Sequence, residues 1–250
     1  MAQQESFIKL KGKIGDLTFF KTKNGYQARE KGGVSGDRIA SDPAFSRTRE
    51  NNLEFGRACV ASKRLRDVLR SSILFTADTK MSNRLTSRLS RIIKADTDNI
   101  RGERKVLSAN LGLLKDFNFN ASAQLSATLF VNHQAVIDRS TGNVQLSLPA
   151  FNPDVAVVKP SGATHYQFNI AAALIDFEGQ ESEFAAAAAS AMSLNAQTEA
   201  QTLEMSLTAN SPLPLILVFG ISFFQEVNGV QYSLKNGAYN ALTVIAIDLP

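Results

Sequence analysis

Between residues 125 and 247 the chain repeats one pattern: a short segment that alternates apolar and polar residues, then a turn-forming pair. The segments are LSATLFV (125–131), NVQLSL (143–148), HYQFNIAAALI (165–175), TLEMSLT (202–208), PLILVFGISFF (214–224), VQYSL (230–234) and NALTVIAI (240–247). Thr141-Gly142-Asn143, Ser161-Gly162, Glu178-Gly179, Asn228-Gly229 and Asn236-Gly237 stand between them. A period of two residues places alternate side chains on opposite faces of a strand, and glycine supplies the positive φ that tight turns need. Strands this short and this evenly punctuated predict an antiparallel sandwich of immunoglobulin-like type. The run AAAAASAM (185–192) stays open between strand and helix, because alanine favours helix while its neighbours favour strand. The apolar stretch 213–224 contains Pro214, Gly220 and Ser222 and is shorter than the ~20 residues that cross a bilayer. It predicts a buried strand, and no membrane span is expected.

The first half has a different texture. FIKLKGK (7–13) puts Ile8 and Leu10 on one side and Lys9, Lys11 and Lys13 on the other, which predicts a half-buried strand with a cationic face. A second strand is expected over LTFFKTK (17–23), a turn at Asn24-Gly25, and a third strand over YQARE (26–30). Asp42-Pro43 reads as a helix start, with a helix over 43–70, a break near Gly56, and Phe45, Leu53, Val60, Leu65, Val68 and Leu69 as its apolar face. From about Asp78 a second helix follows, with Met81, Leu85, Leu89 and Ile92 as a stripe flanked by Arg84, Arg88 and Arg91. The two helices are expected to form a hairpin joined around 71–77. The class is therefore α+β: an N-terminal antiparallel β-meander and helical hairpin in residues 1–115, then the sandwich in 116–250.

Charge divides the chain at the same place. Residues 1–115 carry 24 of the 27 Lys and Arg against 12 acids, a net of +12, and residues 116–250 carry 3 against 11, a net of −8. Such opposition suits an acidic partner or a second copy of the same chain. Candidate contacts for assembly or for a polyanion are Lys9, Lys11, Lys21, Lys23, Arg29, Arg84, Arg88 and Arg91.

Catalytic signatures are missing from this picture. The one cysteine, Cys59, lies in a helical stretch, and His133 and His165 lie in expected strands. There is no G-x-S-x-G elbow, and GGVSG (32–36) fits neither phosphate-loop pattern. DFEGQESE (176–183) lacks the oxygen ladder of a calcium loop and reads as a polar turn. No catalytic residue, cofactor, metal or small-molecule ligand is indicated. MAQQESFIKLKGK has no secretory pattern of charged then apolar residues, so synthesis in the cytoplasm is expected.

Three stretches carry a resemblance: IKLKGKIGDLTFFKTKNGYQAREKGG, SDPAFSRTRENNLEFGRA and LVFGISFFQEVNGVQYSLKNGAYNAL. In these the chain resembles an uncharacterised Bacteroidota family of unknown function with a Gly-rich N-terminal β-hairpin, a basic helical segment and a C-terminal sandwich. The resemblance implies no activity and no site residues. The expected function is a non-enzymatic structural subunit that self-assembles into a filament, a phage-like particle or another ordered array. Other copies of the chain are the expected partners. The alternative is a nucleic-acid-binding protein that uses the basic helices.

Overall fold

The computed structural model describes residues 2–30, 32–76, 78–179 and 181–250, and within these the side chains of Lys235 and Asn236 are left undescribed. Ala77, in the expected helix joint, and Gln180, in the acidic turn, lie outside the described residues. Two units are present, residues 1–50 and 51–250.

In the first unit β1 (Ala2–Gln3), β2 (Gly12–Ile14), β3 (Leu17–Thr22) and β4 (Gly25–Glu30) form an antiparallel sheet in the order β1-β4-β3-β2. Ile14 pairs with Leu17 across Gly15-Asp16. Thr22 pairs with Gly25 across Lys23-Asn24, so the turn starts one residue before the expected Asn24-Gly25. Only Gly25 of this turn takes a positive φ, 105°. Thr22 explains the shift, since its Oγ1 accepts from the Asn24 N–H and donates to the Gly25 carbonyl. The strand expected over 7–13 survives only as Gly12–Ile14. Gln4 competes for that segment's backbone: its Oε1 accepts from Leu10 N at 2.9 Å, while its Nε2 donates to Gln27 O at 3.0 Å. Residues 4–11 close into a loop instead.

The short helix α1 (Gly36–Ser41) is capped by Ser35, and Asp42 caps the 3-10 turn Pro43–Phe45 that leads into α2 (Ser46–Val68). Arg49 donates to the carbonyls of Ile39 and Asp42 at 2.8 and 2.9 Å and so ties α1 to the start of α2. None of the described residues between 2 and 50 is buried.

Among its described residues the second unit holds the remainder of α2, then α3 (Arg70–Ile73), α4 (Met81–Lys94), a 3-10 segment Ser108–Leu114, α5 (Leu125–Thr128), α6 (Pro153–Ala156) and nine strands. These are β5 (Gln134–Asp138), β6 (Asn143–Leu148), β7 (His165–Ile175), β8 (Ser182–Ala188), β9 (Met192–Ser193), β10 (Gln201–Ser206), β11 (Leu215–Val227), β12 (Val230–Ser233) and β13 (Ala241–Asp248). One sheet runs β12-β11-β7-β8 with β13 also on β11 and β9 on β7; the other runs β10-β6-β5. Val144, Leu146, Leu148, Leu203 and Met205 of the smaller sheet pack on Phe168, Ile170, Ala172, Leu174, Leu217, Phe219 and Ile221 of the larger. That pairing is the expected antiparallel sandwich.

The larger sheet has a second cover. Ala171, Ala173, Ile175, Ile216, Val218 and Val244 pack with Leu65 and Leu69 near the end of α2 and with Leu85, Leu89 and Ile92 of α4. Its central strands are therefore buried on both faces, so the alternation expected of β7 and β11 gives way to consecutive buried positions over 170–175 and 215–221. The division drawn at 115/116 from charge and texture falls inside this unit.

Several local expectations are corrected. The α2 helix passes Gly56 without a break. Its buried residues include Ala58, Ala61 and Leu65, while the expected core residues Leu53 and Val60 are 58% and 54% exposed. Small alanines let the helix axis approach closely, which the larger side chains at 53 and 60 would prevent. LSATLFV forms a single helical turn instead of a strand, burying Leu125 and Leu129 four residues apart. Its Thr128 hydroxyl donates back to Gln124 O at 2.8 Å. The alanine run enters β8, where Ala185 and Ala186 pair with Ala172 and Ala171. Small residues facing small residues in the sheet outweigh alanine's helix preference.

Candidate assembly surfaces

In the N-terminal unit the expected contact residues share one sheet and its loops. Lys21 lies 5.5 Å from the centre of the Tyr26 ring, its cross-strand partner, and the Arg29 guanidinium lies 5.5 Å from the Phe20 ring. Both cations rest on aromatic faces with their charge in solvent. Lys9 donates to the Gln4 carbonyl, and Lys11 and Lys23 are exposed. Beside these cations stand apolar side chains in water: Phe7 is 94% exposed, and Ile8, Leu10, Ile14 and Leu17 are exposed as well. Ile8 and Leu10, expected on the buried side of a strand, are exposed instead, and Phe7 stands out further still.

In the second unit the α4 arginines divide by role. Arg84 donates to the carbonyls of Asn118 at 2.7 Å and Phe119 at 3.1 Å, pairs with Asp78, and stacks 5.3 Å from the Phe117 ring. Asp78 also accepts from Lys80 N and Ala121 N. Burial pushes its pKa upward, but those N–H groups and Arg84 outweigh that and hold it below the usual carboxylate value. Arg88 donates to Leu113 O at 3.1 Å, and Arg91 is exposed. Elsewhere Arg57 donates to the carbonyls of Gly102 and Arg104, and Arg64 to that of Asp176. Arg57, Arg64, Arg84 and Arg88 thus close loops onto helices.

Backbone N–H groups of Gly179 and Glu178 hold the Asp176 carboxyl below its ordinary pKa and shape the acidic turn. Cys59 is half-buried on α2. His133 is exposed ahead of β5, with its ring 5.1 Å from that of Phe219. His165 Nε2 lies 3.4 Å from Glu226. Among the described residues no cluster of His, Cys, Asp and Glu could hold a metal ion, and no helix is long and apolar enough to cross a membrane.

The helix-side face of the larger sheet changes character along β7. Ala171, Ala173 and Ile175 lie under the helices, while Gln167 and Asn169 continue the same alternation beyond the apolar cover. Ser222 sits across from Gln167 on β11, and Asn169 donates to its Oγ at 3.0 Å. Ser71, Ser72, Phe75 and Thr76 stand above them, enclosing a cleft of about 440 Å³. Asn240 clamps the two sides together: it donates to Phe75 O at 3.0 Å and accepts from Phe223 N at 2.9 Å. The position of the 71–76 segment over this polar end of β7 makes it a cleft.

No protein-family model matches the chain, and no curated protein matches it. A solved structure described as "pH-induced modulation of Streptococcus parasanguinis adhesion by Fap1 fimbriae" contains a chain that matches at 10% identity over 47% of this chain and 82% of that one. Its TM-score is 0.24, a likeness too slight to bear on fold or function.

Proposed function

We propose that this chain is a non-enzymatic structural subunit that self-assembles, with the N-terminal sheet of one copy docking on the acidic C-terminal half of another. The observation that carries this reading is a four-stranded sheet unit in which no described residue is buried and whose Phe7, Ile8, Leu10, Ile14 and Leu17 face water. A sheet of this size needs a covered apolar face to be stable, and exposed apolar clusters of this kind mark protein contacts. Charge favours a second copy as the cover. Residues 1–50 hold ten Lys and Arg against six acids, while residues 116–250 have a net charge of −8. A patch that meets a different patch on the next copy makes a head-to-tail contact, which yields rings or filaments. The nucleic-acid alternative has fewer free cations to draw on, since Arg57, Arg84 and Arg88 already serve main-chain carbonyls.

Light scattering across a salt series tests the proposal. Assemblies should grow with protein concentration at low salt and shrink as added salt brings the screening length down to about 8 Å near 0.15 M. A shift of duplex DNA by the chain with no change in its own mass would favour the alternative.

A further inference from the structure

We infer that the cleft between the 71–76 segment and the polar end of the larger sheet is a binding site for a neutral saccharide unit. At about 440 Å³ it falls within the ~300–1,000 Å³ range of small-molecule sites. Its lining joins apolar surface from Phe75, Phe224 and Leu242 to the polar groups of Gln167, Asn169 and Ser222. Among the described residues that line it none is charged, although a fifth of the whole chain is. An ionic ligand would lose its hydration there without gaining a counter-charge.

The remaining hydrogen-bonding capacity narrows the ligand class. Gln167 Nε2 is engaged with Ala189 O at 2.8 Å, and Asn169 Nδ2 with Ser222 Oγ. In the side-chain amides of these two lining residues only the N–H groups are engaged among the described residues, so Gln167 Oε1 and Asn169 Oδ1 remain able to accept from a donor. The hydroxyls of Ser71, Ser72 and Ser233 add groups that donate or accept. A ligand rich in O–H groups satisfies that set. The Phe75 ring at the rim is 61% exposed and offers an apolar face for the C–H side of a pyranose. Ala186 and Ala188 of β8 keep the space open, and Asn240 fixes the roof whether or not a ligand is bound. None of these groups belongs to the N-terminal sheet, so the inference stands apart from assembly.

Saturation-transfer difference NMR on the full chain tests it, because the method reads the ligand and tolerates a large assembly. The probes are the methyl glycosides of glucose, galactose, mannose and N-acetylglucosamine at up to about 10 mM, with glucuronate as the charged control, for a site of Kd ~1 mM. Saturable transfer to the pyranose C–H protons of at least one neutral glycoside is expected, with at least tenfold weaker transfer to glucuronate. Ala188→Phe should fill the cleft and abolish the signal. Phe75→Ala, at an exposed position, should weaken it severalfold with the melting temperature unchanged. The inference is overturned if no neutral glycoside gives saturable transfer, if glucuronate matches the neutral sugars, or if the signal persists in both variants.

Discussion

Arg84→Ala discriminates between a basic helix that serves its own fold and one that serves a polyanion. The guanidinium makes charge-assisted hydrogen bonds to Asn118 O and Phe119 O, pairs with Asp78 and covers the Phe117 ring. Residues 116–119 in turn bond to β13, through Asp116 N to Val244 O at 2.9 Å and Phe119 N to Leu242 O at 2.9 Å. Removing the side chain unties α4 from the segment that joins it to the sheet. Two charged-donor bonds at ~1–1.5 kcal/mol each, with about 1 kcal/mol for the ring contact and ion pair, give a loss of about 3–4 kcal/mol. With a urea slope of ~2 kcal/mol per molar, the unfolding midpoint should fall by about 1.5–2 M. Exposed Arg91→Ala should stay within about 0.5 kcal/mol of wild type. If Arg84→Ala unfolds at the same urea concentration as Arg91→Ala, the structural role assigned to Arg84 is wrong.

Asp96 is buried and accepts from Asp98 N, Asn99 N, Asn99 Nδ2 and Lys105 N. Burial raises its pKa, but those four donors prevail and bring it down to about 2. A carboxyl with a depressed folded pKa contributes fully above its unfolded value of 3.8 and loses the contribution as pH falls towards about 2. Asp96→Asn should therefore cost about 1.5–3 kcal/mol in urea unfolding at neutral pH, and the gap to wild type should narrow below about pH 4. A gap independent of pH would refute the assignment. Gly220→Ala would put a Cβ 2.4 Å from Ala241 O between β11 and β13, so its thermal midpoint should fall, with an overpacking cost of about 1–3 kcal/mol. An unchanged midpoint would mean that β13 yields.

The strands β6, β7, β10, β11, β12 and β13 were legible because period-2 patterning and glycine turns are local signals. Asn228 and Gly229, with φ of 54° and 77°, make the β11–β12 turn the sequence called for. Other elements depended on contacts that no window contains. Gln4 bonds to Leu10 and Gln27, which turns a well-patterned strand into a loop. The face that α2 buries was misread because alanines at 58 and 61 weigh little in a pattern of large apolar residues. At the candidate site, charge clustering was visible, but its use was not. Arg84 and Arg91 look alike in the sequence, and only the carbonyls of Asn118 and Phe119 separate them. The cleft needed still more, since it exists only where the helical cover ends over β7.

Sedimentation velocity of the full chain beside the triple variant Phe7→Ser, Ile8→Ser, Leu10→Ser tests self-assembly most directly. None of the three side chains is buried and none belongs to either core cluster, so the variant should keep the fold of the 51–250 unit while losing the surface that seeks a partner. Concentration-dependent oligomers are expected for wild type at low salt and a monomer for the variant, with the melting temperature of the 51–250 unit unchanged. A wild-type chain that remains a single monomeric species at low salt and high concentration, or a variant that assembles as wild type does, would contradict it.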